Sequence, residues 1–127
     1  EEKTLQVVKD AKMEERVIYS SFNHYSVQKI RSLDNKAETA YLYSDVILDV
    51  EKYAADTGAD GLHPAVYHLY MSDFLERYKE SGIKVRVWTV NKESDMKKFI
   101  EEDLEAIITN YPDTAVVVRK QVQDAQR

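Results

Sequence analysis

The feature that most constrains this chain is a rhythm: short β-branched runs alternate with amphipathic, helix-like stretches, and strand starts recur every 20 to 25 residues or so. That spacing holds one strand, one helix and two short connections. It commits the chain to consecutive βα units, whose strands pair in parallel and carry functional groups at their carboxyl ends. The two clearest units begin Lys84-Val85-Arg86-Val87-Trp88-Thr89-Val90-Asn91 and Leu104-Glu105-Ala106-Ile107-Ile108-Thr109-Asn110-Tyr111-Pro112-Asp113.

The same switching of period runs through the rest of the chain. Residues 4–15 predict a first helix with Leu5, Val8 and Met13 inward. A strand over 16–22 leads to a helix with Val27, Ile30 and Leu33 on one stripe and Asn23 as its N-cap. The next strand, 39–43, precedes a helix that places Ile47, Val50, Tyr53 and Ala54 on one face and stops at Gly58. Residues 61–65 form a short strand followed by a loop-like stretch. Ser72 caps the next helix, whose Phe74, Leu75 and Tyr78 face inward as far as Gly82. After the Trp88 strand, Met96, Phe99 and Ile100 form a helical stripe. After the Thr109 strand, Asp113 caps a last helix containing Val116, Val117 and Val118.

Five such strands fit either a doubly wound sheet of the flavodoxin type or a piece of a (β/α)8 barrel. The 127 residues suit one domain. They are too few for a whole barrel, which takes roughly 200 to 250 residues or more. Hydrophobic residues make up 43% of the chain, enough for a real core, and three Gly and two Pro leave the elements uninterrupted. Charged residues reach 32% with a net charge of −5, and no basic stripe offers a surface to nucleic acid. No apolar run approaches the roughly 18 residues of a membrane span, and Glu1-Glu2-Lys3-Thr4 is unlike a signal peptide. The absence of cysteine excludes disulfides, thiolate catalysis and Cys-based zinc sites.

The wording of the strands is more specific than their rhythm. Trp88-Thr89-Val90-Asn91, then a strand ending Ile107-Ile108-Thr109-Asn110-Tyr111-Pro112-Asp113, resembles the last two units of the glycerophosphodiester phosphodiesterase family, whose fold is a (β/α)8 barrel. Val17-Ile18-Tyr19-Ser20-Ser21-Phe22 resembles that family's mid-barrel strand ending in Ser-Phe, and Gly58-Ala59-Asp60-Gly61-Leu62-His63-Pro64 stands where a further strand is expected. The likeness covers nearly the whole chain, in order, and only the family's C-terminal half. It favours an α/β array of about five parallel strands, the C-terminal part of a TIM barrel forming one partial domain over 1–127. The family's catalytic motifs belong to its other half: a His-Arg-Gly, a Glu-x-Asp, a His-Asp and a Glu-x-Lys on or after the first strands. Here there is no His-Arg or His-Asp pair, and neither carboxylate motif stands on a predicted strand.

Trp88 is the strongest site candidate. Alternation puts Arg86, Trp88 and Val90 on one strand face and Val85, Val87 and Thr89 on the other, and an Arg is easier to house inside a barrel than under a helix. The resemblance implies that Trp88 packs against the glycerol part of the substrate; the competing reading is an ordinary core tryptophan. His63 lies at a strand end, where it serves either a ligand or a local hydrogen bond. His24 and His68 fall in a first helical turn and a loop, without carboxylate partners. Thr109 with Asn110, and Ser21 with Phe22, end strands on the side that shapes a pocket or simply make turns. Glu14-Glu15 and Glu101-Glu102-Asp103 read as solvated helix ends, and no phosphate loop, nucleophile elbow or metalloprotease helix is present.

The resemblance further implies hydrolysis of glycerophosphodiesters to glycerol 3-phosphate and an alcohol, with Ca2+ or Mg2+ polarising the phosphoryl oxygens and two histidines as acid and base. This segment is then expected to supply substrate-binding residues (Trp88, Phe22, Ser21, Thr109 and His63) but no catalytic group and no metal ligand, and to be inactive alone. The alternative is a non-catalytic half-barrel that only folds and associates. Strand edges at 17–22 and 106–110, and an open face including Tyr41, Tyr43 and Trp88, predict a homo-oligomer.

Overall fold

In the computed structural model, which describes all 127 residues, the chain forms five strands, six α-helices and two 3-10 turns. They fall into two units, Glu1–His63 and Pro64–Arg127. No helix is long and apolar enough to cross a membrane.

The first unit runs α1 (Glu2–Asp10), a 3-10 turn (Glu14–Arg16), β1 (Ile18–Ser21), α2 (His24–Leu33), β2 (Glu38–Tyr43), α3 (Val50–Thr57) and β3 (Gly61–Pro64), whose last residue opens the second unit. β1 lies parallel to β2, from Ile18 opposite Glu38 to Ser21 opposite Tyr41. The Asp60 N–H donates to the Thr39 carbonyl at 2.9 Å and leads β3 onto the other side of β2. This sequential order, β1-β2-β3, is not that of a flavodoxin-type sheet, in which the first strand lies between the second and third. Val27, Ile30, Val50 and Ala54 turn one stripe of each helix into the core beside buried Ala40, Tyr41 and Leu62. Gly58, at φ 83°, takes the left-handed conformation that ends α3.

The second unit runs through a 3-10 turn (Val66–Tyr70), α4 (Phe74–Ser81), β4 (Lys84–Trp88), α5 (Glu93–Glu101), β5 (Ala106–Ile108) and α6 (Pro112–Ala125). β4 and β5 are parallel, with Arg86 opposite Ala106 and Trp88 opposite Ile108, and Ala65 makes a parallel bridge to Trp88. Val85, Val87, Met96, Phe99, Val118 and Val122 are buried, and Gly82 ends α4 at φ 73°.

Several local expectations need correction. α1 stops at Asp10 rather than 15, because Lys12 at φ 56° turns the chain into the 3-10 turn. The stretch after β3 is a 3-10 turn, not a loop, and buries His68 and Leu69. Ser72 is not a helix cap: its hydroxyl meets the Asp73 carboxylate at 3.3 Å, and Asp73 precedes α4. Asp113 lies inside α6, because Pro112 takes the first helical position. The buried positions of α6 are Val118 and Val122, one turn apart, while Val116 and Val117 are exposed. Leu33 is likewise 45% exposed. Tyr41 and Tyr43, expected on an open face, are buried, and Tyr41 stacks on the His24 ring of α2 at 4.2 Å.

Candidate functional site

Parallel strands bring their carboxyl ends to the side where the following helices begin, so each strand's last residues and the connection after it are the places to look for chemistry. In the first unit, Ser21 closes β1, and its Oγ accepts the Asn23 N–H at 3.0 Å. That bond turns the chain into α2. Asn23 then caps the helix, its side-chain oxygen accepting from the N–H groups of Tyr25 at 3.1 Å and Ser26 at 3.4 Å. Phe22, between them, is 60% exposed. His63 lies within β3 and is buried, a strand histidine rather than a loop one.

His24 does more than its position in a first turn suggests. Its Nε2 faces the Leu42 carbonyl at 3.0 Å, so Nε2–H donates; its Nδ1, 2.8 Å from the Tyr53 hydroxyl, accepts in the neutral ring. Tyr41, stacked against both His24 and Tyr53, bonds Thr57 at 2.6 Å, and Thr57 donates to the Tyr53 carbonyl. The histidine thus fastens α2 and α3 to the end of β2.

In the second unit, Trp88 closes β4, half-buried, with Val87 fully buried before it. The peptide bond to Thr89 is cis. Arg86, on the Trp88 face, is buried with Glu105 4.0 Å away. The register places Thr109 one residue beyond Ile108, the partner of Trp88, at the same carboxyl end of the two strands. The link between their connections is Asn91. Its Oδ1 accepts from the Thr109 hydroxyl at 3.2 Å and from the Asn110 N–H at 3.0 Å, while Thr109 Oγ1 accepts the Tyr111 N–H at 3.0 Å. The Val90 N–H donates to the Ile108 carbonyl at 2.9 Å and continues the zip past both strand ends.

Asn91 was not singled out from sequence, although a polar residue directly after a strand and before a helix is the signal that identifies it. Tyr70, after β3, donates to the Asp95 carboxylate under the Lys98 ammonium, which lies 5.3 Å from the ring centre. Partial burial, and then that bond, push its phenol up to about 12. No three His, Asp or Glu side chains converge into a group that by itself offers the several oxygen ligands of a divalent cation.

Comparison with known proteins matches this geometry. The profile of the glycerophosphoryl diester phosphodiesterase family matches residues 1–114. The uncharacterized protein YqiK of Bacillus subtilis is 38% identical over 121 residues, covering 94% of this chain and 50% of that protein. A glycerophosphodiester phosphodiesterase of Caldanaerobacter subterraneus is 34% identical, with 94% of this chain and 49% of that protein covered. The chain therefore spans about half the length of the curated relatives it matches. A crystal structure of a glycerophosphodiester phosphodiesterase from Parabacteroides distasonis superposes with a TM-score of 0.80 at 24% identity, over 99% of this chain and 51% of that one. The fold is accordingly the C-terminal part of a (β/α)8 barrel. With the strand wording, the sequential βα order and the family profile in agreement, the chain belongs to the glycerophosphoryl diester phosphodiesterase family.

Proposed function

We propose that this chain is the substrate-wall half of a metal-dependent phosphodiesterase that hydrolyses glycerophosphodiesters to glycerol 3-phosphate and an alcohol. The observation that carries the reading is Trp88: it closes β4 half-buried, next to the Asn91-held turn after β5, within the stretch that matches the family profile. A flat, partly exposed indole at a strand's carboxyl end suits the apolar face of a glycerol backbone. Ser21, Phe22 and His63, in or just after β1 and β3 of the first unit, and Thr109, just after β5 of the second, are the other residues this reading assigns to substrate binding.

The chemistry needs an acid, a base and a polarising Ca2+ or Mg2+, each supplying orders of magnitude. In this reading those groups come from residues outside this chain, in which no three carboxylates or histidines gather at one point. Purified chain supplied with Ca2+ or Mg2+ is therefore expected to leave glycerophosphocholine intact, whereas a longer protein carrying both halves turns it over and loses turnover on Trp88→Ala. Activity of the 127-residue chain that survives repeated purification and falls with Trp88→Ala would refute the division of labour.

A second reading, a half-barrel that associates through its outer strands, is favoured by two clefts. One, of about 500 Å3, runs beside β1 and is lined by Val8, Val17, Ile18, Val27 and Ile30. The other, of about 440 Å3, runs beside β5 and is lined by Phe99, Ala106, Ile107, Ala115 and Val116. The occupant we assign is a second copy of this chain, because an outer parallel strand beside a cleft of mixed apolar and polar lining offers backbone groups and a partly hydrophobic seat together.

A further inference from the structure

Asn91 has one end engaged and one end open. Its Oδ1 carries two lone pairs, and both are taken: Thr109 Oγ1–H donates at 3.2 Å and Asn110 N–H at 3.0 Å. The backbone donor settles which way round the amide lies, since an N–H cannot accept, so the oxygen must face Asn110 and the nitrogen must point away. Thr109 is held in turn by the Tyr111 N–H at 3.0 Å, and Val90 by the Ile108 carbonyl at 2.9 Å, so the amide cannot swing without breaking the turn. Asn91 is exposed, and what it presents to solvent, three residues beyond Trp88, is a pair of fixed N–H donors with no acceptor. A donor-only group matches a ligand oxygen that only accepts. An ionised phosphoryl oxygen, charged and acceptor-only, takes such donors more strongly than a neutral hydroxyl does.

We propose that Asn91 is a substrate-positioning residue whose Nδ2 donates to a phosphoryl oxygen of the glycerol 3-phosphate moiety, while its Oδ1 keeps the turn after β5 in place. This deepens the phosphodiesterase reading and rests on it for the identity of the ligand.

Side-chain amide and indole resonances of the full chain, titrated separately with sn-glycerol 3-phosphate, inorganic phosphate and glycerol, test it. Glycerol 3-phosphate is expected to shift both the Asn91 Nδ2 protons and the Trp88 indole. Inorganic phosphate is expected to shift Asn91 alone, and glycerol to leave Asn91 unmoved. Asn91→Asp keeps an oxygen for Thr109 and Asn110, so its melting temperature should stay within a degree or so of the parent while glycerol 3-phosphate affinity falls about tenfold or more; Asn91→Ala should lose both. If Trp88 responds while Asn91 does not, or if Asn91→Asp binds like the parent, the inference is overturned and the substrate reading stands. If Asn91 responds and Trp88 stays silent, the phosphate role holds and the glycerol platform falls. Silence at both residues up to tens of millimolar ligand removes both.

Discussion

Tyr70 and Asp60 show how single side chains report their surroundings here. Tyr70 donates to Asp95, and its pKa is raised from 10.0 to about 12. A raised folded-state value means the fold favours the protonated phenol, so this contribution is complete below pH 10 or so and is lost as pH climbs toward about 12. A tyrosine-resolved NMR titration should find Tyr70 still protonated at about pH 11, and Asp95→Asn should bring its midpoint down toward the ordinary range. A parent midpoint near the ordinary value would count against the Asp95 bond. Asp60 gathers the Arg31 guanidinium at 2.8 Å and the N–H of buried Thr39 at 2.9 Å on one oxygen. The ion pair is about one-third exposed on each side and contributes little; the buried N–H is what matters. Asp60→Ala should lower unfolding free energy by about 2 kcal/mol in urea, and Asp60→Asn, which keeps an acceptor, by clearly less.

At the scale of elements, helix ends decide more than helix middles. Asn23 Oδ1 takes the Tyr25 N–H at the start of α2 and shares the Ser26 N–H with the Asn23 backbone carbonyl, and Ser21 Oγ holds the Asn23 N–H just before it. Asn23→Ala should cost about 1 kcal/mol, measured as a lower melting temperature, and Asn23→Asp should recover it because a carboxylate caps as well. If Asn23→Ala melts with the parent, the cap is ornamental and His24 carries the junction through Leu42 and Tyr53. The other helix starts behave differently: α6 relies on Pro112 at its first position and makes no side-chain cap bond.

For the whole molecule, the proposal to test is association through the outer strands. β1 and β5 are the outer strands of their units, each beside a cleft of mixed apolar and polar lining. Tyr41 and Tyr43 are buried within the chain, so the surface this proposal invokes is the strand edges and their clefts rather than an open tyrosine face. Sedimentation should show a dimer or larger species at micromolar concentration, and Ile18→Lys or Ile107→Lys should shift it toward monomer, because a charge on an outer strand opposes edge pairing. A parent that sediments as a monomer would end the association reading.

What the sequence determined by itself was local and periodic. Alternating runs specify strands, stripes such as Val27 with Ile30 and Met96 with Phe99 specify which helix face is buried, and Asn23, Gly58 and Gly82 specify where helices begin and end. The strand-end wording around Trp88 and Thr109 identified the family and its barrel fold. Tertiary structure alone decided which side chains meet. Nothing in spacing links Asn91 to Thr109 and Asn110, His24 to Tyr53, or Asp60 to Thr39, because parallel pairing joins residues about twenty positions apart through register, and register belongs to the folded sheet rather than to either strand. For the same reason Tyr41 looked available to solvent: alternation tells that two faces differ, and only the packing of α2 and α3 over β2 tells which of them is covered.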